Sequence, residues 1–114
     1  MKLNIYKKKE VIKTYEADTY DLMFGILEDI AESVNLDDLT TGTNAEIIKL
    51  AAGAVVNNLE NIKNLLKDIF DGLTDDELKY VKVNEIIEVI SEVILYTISQ
   101  LKLGTNAKNL IRDK

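Results

Sequence analysis

The sequence contains no cysteine, no histidine and no proline. Without cysteine and histidine there are no disulfides, no thiol nucleophile, none of the commonest transition-metal ligands and no ordinary proton shuttle near neutral pH. Most hydrolytic chemistry loses its usual machinery, and no metal, cofactor or catalytic residue is expected. With no proline to mark a linker and no repeat of solenoid period, the 114 residues read as one domain, long enough to bury a real core. No stretch approaches the roughly 20 apolar residues of a membrane helix, because charges or amides interrupt each candidate. Met1-Lys2-Leu3-Asn4-Ile5-Tyr6 carries no apolar run of signal-peptide length. A cytoplasmic protein is expected, with no membrane partner, and the lack of cysteine fits a reducing compartment.

Aromatic residues are also few, five tyrosines and two phenylalanines. Basic side chains do not interleave with them on one face, as a binder of single-stranded nucleic acid requires. The tyrosines are the better interface candidates, each pairing apolar area with a polar tip. Charge is plentiful, with 20 acidic residues against 14 basic and a net charge of −6. That balance favours solubility and argues against a phosphate-binding surface, so nucleic acid is not an expected partner.

The patterning predicts a mainly α (α+β) protein, an N-terminal β-hairpin followed by a compact bundle of three main helices and one short helix. Leu3, Ile5, Val11 and Tyr15 lie in two short segments around a lysine run, with Ile12 out of phase, and place strands at about 2–7 and 10–16. Such a hairpin is marginal alone and must pack on helices or join a sheet edge of another subunit. A helix over 19–34, capped by Asp18 or Thr19, would turn Met23, Ile26, Leu27, Ile30 and Val34 inward, while Tyr20, Phe24 and Ala31 extend one flank. Gly25 within it suggests close approach of a neighbouring helix. A polar loop follows over 35–44.

Residues 44–71 read as one long helix, capped by Thr43 or Asn44 and stopped near Gly72. Ile48, Ala52, Val55, Leu59, Ile62, Leu66 and Ile69 form its inner stripe. Ile47, Ala54 and Leu65 fall off that stripe, and the small residues 51–54 would let another helix approach. Thr74-Asp75-Asp76-Glu77 is a capping box starting a short helix over 75–80. The last helix, 83–103, carries apolar residues over about 200° of its circumference. Gly104 is expected to end it, with 105–114 a mobile polar tail beyond the 1–104 domain.

Carboxylates concentrate at Asp37 and Asp38 and at Asp71, Asp75, Asp76 and Glu77. Neither cluster has the alternating ligands, turn glycine and distal glutamate of a calcium loop, and both read as caps and loops. No phosphate loop or nucleophile elbow accompanies them, so an enzyme is not expected. The informative feature is surplus apolar surface on the long and last helices. It has three explanations: a larger core, a homo-oligomeric interface, or a groove for another protein's apolar helix. Ile47, Leu50, Ala54, Val89, Val93 and Tyr96, off the main stripes or on the flank of the broad face, are the residues expected at a subunit or partner interface.

The stretches Tyr15-Glu16-Ala17-Asp18-Thr19-Tyr20-Asp21-Leu22-Met23, Asn44-Ala45-Glu46-Ile47-Ile48-Lys49-Leu50 and Asp71-Gly72-Leu73-Thr74-Asp75-Asp76-Glu77-Leu78, with the layout of nearly the whole chain, resemble the tail assembly chaperones of long-tailed phages of Gram-positive hosts. The resemblance implies a protein of the host cytoplasm, absent from the mature virion. It would bind the tape measure protein, a long and largely helical chain, and keep it soluble until tail-tube subunits polymerise around it. It further implies self-association and the tail-tube protein as another partner, and carries no active site. The alternatives are a structural tail-completion component and a small adaptor that binds a host protein.

Overall fold

The structure, a computed structural model, describes residues 1–34 and 43–112. Strands β1 (Lys2–Lys7) and β2 (Glu10–Glu16) form an antiparallel hairpin, and helices follow. Lys7 pairs with Glu10, so only Lys8 and Lys9 turn the chain, and both take positive φ, 51° and 71°. A two-residue loop between right-twisting strands demands that conformation, which asparagine and glycine enter more cheaply than lysine. Ile5 faces Lys13 while Tyr6 faces Val11, so Ile12 is the extra residue of a bulge. The bulge accounts for the apolar residue that breaks the strand's alternation.

The hairpin packs on the helices. The Asn4 amide donates to Glu85 Oε1 at 3.2 Å and the Tyr6 amide to the Tyr80 carbonyl at 2.9 Å, which covers the free edge of β1. Among the described residues no strand pairs with the outer edge of β2.

Asp18 does cap, accepting from the Tyr20 amide at 3.1 Å, but it caps only a 3-10 turn, Thr19–Asp21. Leu22 and Met23 are extended, and α1 runs Phe24–Ser33, later than the helix expected from residue 19. The loop expected over 35–44, with Asp37 and Asp38, lies outside the described residues up to residue 42. Thr43 caps α2 (Asn44–Asn57) by accepting from the Glu46 amide at 3.3 Å.

The single helix expected over 44–71 is two. Asn58, at φ −130° and ψ 46°, leaves the helical conformation between α2 and α3 (Leu59–Ile69). Its amide still reaches the Ala54 carbonyl at 2.8 Å, and its own carbonyl accepts from Ile62 at 3.0 Å to begin α3. The side chain supplies the reason for the break: Nδ2 donates to the Ser33 carbonyl at 2.9 Å. That carbonyl is one of the acceptors a helix C-terminus leaves unpaired.

Beyond α3, Gly72 (φ 87°) turns the chain, and the full capping box of Thr74 and Glu77 opens α4 (Asp75–Leu78). The last helix, α5 (Val83–Arg112), passes through Gly104 instead of ending there. One glycine weakens a helix by about 1 kcal/mol without forbidding it.

α5 is the centre of the fold, packed against β1, α1, α2 and the 3-10 turn. The core joins its Val89, Ile90, Val93 and Ile94 to Leu3 and Ile5 of β1, Ile30 of α1, Ile47 and Ala51 of α2, and Leu65 and Leu66 of α3. Neighbours on several sides explain an apolar face too broad for one. Buried Ser91 and Thr97 satisfy their hydroxyls within the helix, donating to the Ile87 and Val93 carbonyls at 2.7 and 2.8 Å.

Candidate partner-binding surface

Of the six residues expected at an interface, Ile47, Ala54, Val89 and Val93 are buried inside the single chain. Ile47 and Val93 serve the core of the folded chain, whereas Ala54 and Val89, though buried, border surface clefts. Leu50 and Tyr96 are half-buried. Leu50 lines a cleft of roughly 410 Å³ with Gly53, Ala54 and Asn58, between α2 and the end of α1. Tyr96 meets Tyr20 edge to face, ring centroids 6.3 Å apart.

The cause is the break at Asn58. Ile62 and Leu66 of α3 do face the core, as expected, together with Leu65. Carrying that phase back across residue 58 puts Ile48 inward, whereas α2 buries Ile47, Ala51 and Ala54. At 100° per residue the two faces lie about 100° apart. Of the stripe expected inward, Ile48 is 52 % exposed and Leu59, which opens α3, 50 %, and Val56, outside that stripe, is 79 % exposed. Ala52 and Val55 lie half-buried between them. Within α2, Ile48, Ala52 and Val56 follow one another at steps of four on one side of the helix, and Leu59 opens α3 just beyond the break at Asn58. The signal of that break in the sequence is the pair Asn57-Asn58 inside an apolar run, since asparagine competes for helical backbone groups.

Ahead of and at the start of α1, Tyr20, Met23 and Phe24 are each strongly exposed. Met23, expected inward, precedes the helix and escapes its phase, while Ile26, Ile30 and Val34 are buried. Met23 lines a cleft of roughly 460 Å³ with Glu28, Asp29, Glu32 and Asp68. No Cβ at Gly25 or Gly53 would meet an atom within 4 Å, so neither glycine is required by a close neighbour.

Charge is divided between the two parts of the chain. The hairpin carries Lys2, Lys7, Lys8, Lys9 and Lys13 against Glu10 and Glu16, while the whole chain is at −6. The helical body is thus more acidic than the net charge suggests. The hairpin is fastened to that body through Glu77, whose Oε1 accepts from the Tyr15 hydroxyl at 2.6 Å and whose Oε2 meets Lys13 Nζ at 3.2 Å. The Tyr15 bond is the largest influence on the Glu77 carboxyl and lowers its pKa; burial, next in size, opposes it, and Lys13 and the Thr74 amide add to the lowering. Tyr15 also packs edge to face on Phe70, with ring centroids 6.4 Å apart.

Among the described residues no three carboxylates gather where they could hold a metal ion, and no helix is long and apolar enough to cross a membrane. Compared with known proteins, the chain matches no family model, no curated protein and no solved structure. Function is therefore read from the surfaces the fold leaves uncovered.

Proposed function

We propose that this protein is a tail assembly chaperone that binds apolar helical segments of a tape measure protein and keeps that chain soluble until the tail tube forms around it. The observation that carries the reading is the exposed apolar side chains Ile48 and Val56 of α2 and Leu59 at the start of α3, with half-buried Ala52 between the first two. An amphipathic helix laid along them would bury its own apolar face against these side chains, at roughly 25 cal/mol for each Å² of apolar surface removed from water. Acidic surroundings would keep the complex dispersed. Binding is reversible burial without nucleotide hydrolysis or any other chemistry, in the host cytoplasm, and ends when tube subunits displace the chaperone.

The test is co-expression with a tape measure fragment that is insoluble alone. The wild-type chain should bring the fragment into the soluble fraction. A variant carrying I48E, V56E and L59E should keep its helical circular dichroism and lose that effect. A fragment equally insoluble with and without the wild-type chain, or equally soluble with the variant, overturns the reading.

A further inference from the structure

We propose that the tip of the hairpin is a docking surface for a short acidic segment of another protein, one that carries an apolar or aromatic side chain among its carboxylates. Packing assembles this surface from two distant parts of the chain. Tyr6 faces Val11 across the strands, on the side of the hairpin opposite buried Ile5, and the loop residues Lys8 and Lys9 follow one pair further on. The Tyr6 amide donates to the Tyr80 carbonyl at 2.9 Å, which brings the residues ahead of α5 alongside, and Lys82 Nζ stands 4.4 Å from the centre of the Tyr6 ring. Three lysines are thereby joined to one strip of apolar surface, Tyr6 and Val11, of which Val11 is 50 % exposed. No spacing in the sequence links Lys82 to the tip.

Charge sets these lysines apart. Lys2, Lys13, Lys63, Lys67 and Lys79 each meet a carboxylate of their own chain within 3.6 Å. Lys8, Lys9 and Lys82 form no ion pair with any described residue. Glu10 is opposite Lys7 in the strand register, on the other side of the hairpin from Tyr6 and Val11. The strip therefore holds unmatched positive charge in a chain whose net charge is −6. The backbone supplies an independent reason. Lys8 and Lys9 both hold positive φ, 51° and 71°, where asparagine and glycine would make the same turn with less strain. Strain retained in this way is a mark of a functional contact.

Charge complementarity calls for an anion, and the rest of the chain limits its length. A long polyanion such as nucleic acid would run from three lysines onto an acidic, repelling body, whereas a short acidic segment ends where the lysines end. Its carboxylates would accept from the ammonium groups, and its apolar side chain would cover Tyr6 and Val11. Exposed ion pairs are individually weak, so affinity is modest and falls with salt. The surface uses none of Ile48, Val56 and Leu59, so the inference does not rest on the tape measure reading.

The test is fluorescence anisotropy of a short labelled peptide, aspartates and glutamates interrupted by phenylalanine and leucine, titrated with the full chain. Binding to the wild type should saturate, weaken with added salt, and weaken when serine replaces the apolar residues of the peptide. The variants K8N/K9G and K82Q change exposed side chains, and each should bind at least about fivefold more weakly, a difference of about 1 kcal/mol. K63Q removes a lysine charge elsewhere and should bind as the wild type does. Circular dichroism checks that all three variants are folded. No saturable binding, or K8N/K9G and K82Q binding as tightly as K63Q, overturns the proposal. A single-stranded oligonucleotide or phosphatidylserine vesicles held through the same lysines as tightly as the peptide would overturn it in favour of a phosphate ligand. Sedimentation showing the wild type, but not K8N/K9G, associating with itself would overturn it in favour of a second copy of this chain.

Discussion

Glu77 does two jobs with one carboxylate. It closes the capping box of α4 with Thr74, and it takes the hydroxyl of Tyr15 from a strand 62 positions away in sequence. Only the first is visible in the sequence, because a cap lies within four residues whereas the partner on β2 is chosen by the packing of the hairpin. The contacts lower the carboxyl's pKa from its ordinary 4.5, so the folded state favours the ionised form. The stabilisation is present above the unfolded pKa and is lost as pH falls through the lower, folded value. Thermal melts from neutral to acid pH should show this loss, and E77Q should lack that component of it. At the hairpin tip the variant K8N/K9G should stabilise the fold by about 1 kcal/mol through relief of left-handed strain, measured by denaturant unfolding.

Among the elements, the pair α2 and α3 is governed by Asn58. Substitution N58A removes the bond to the Ser33 carbonyl and should lower stability by about 1 to 2 kcal/mol, because a helix-end acceptor loses its partner. The Asn57-Asn58 pair could have suggested the break, but the acceptor that makes it worthwhile belongs to α1. Phase follows from that break: a periodic stripe is trustworthy only as far as the helix is continuous, and here Ile48 and Ile62 belong to different helices. In α1 the substitution G25A should stabilise by about 0.5 to 1 kcal/mol, since the added methyl has room and alanine loses less backbone entropy. A lower melting temperature for G25A would contradict the open space around Gly25.

For the whole molecule, the position of α5 decides what is core. Val93 has no exposed surface, so V93E would bury an unpaired carboxylate among apolar neighbours. It should cost about 4 kcal/mol or more, a large part of the stability of a domain this size. Circular dichroism should show V93E largely unfolded while I48E keeps its helices. The reverse result would restore the faces expected from periodicity. The sequence by itself determined the hairpin, which regions are helical, the caps at Thr43 and Thr74 and the turn at Gly72, but not the break at Asn58, the late start of α1 or the passage of α5 through Gly104. These depend on residues a few positions apart. Tertiary structure alone decided which face of α2 is inward, why α5 is apolar so far around, and which apolar residues remain for a partner. A side chain is buried by whichever element lies against it, and that is settled by the simultaneous packing of β1, α1, α2 and α5, not by its place in a periodic run.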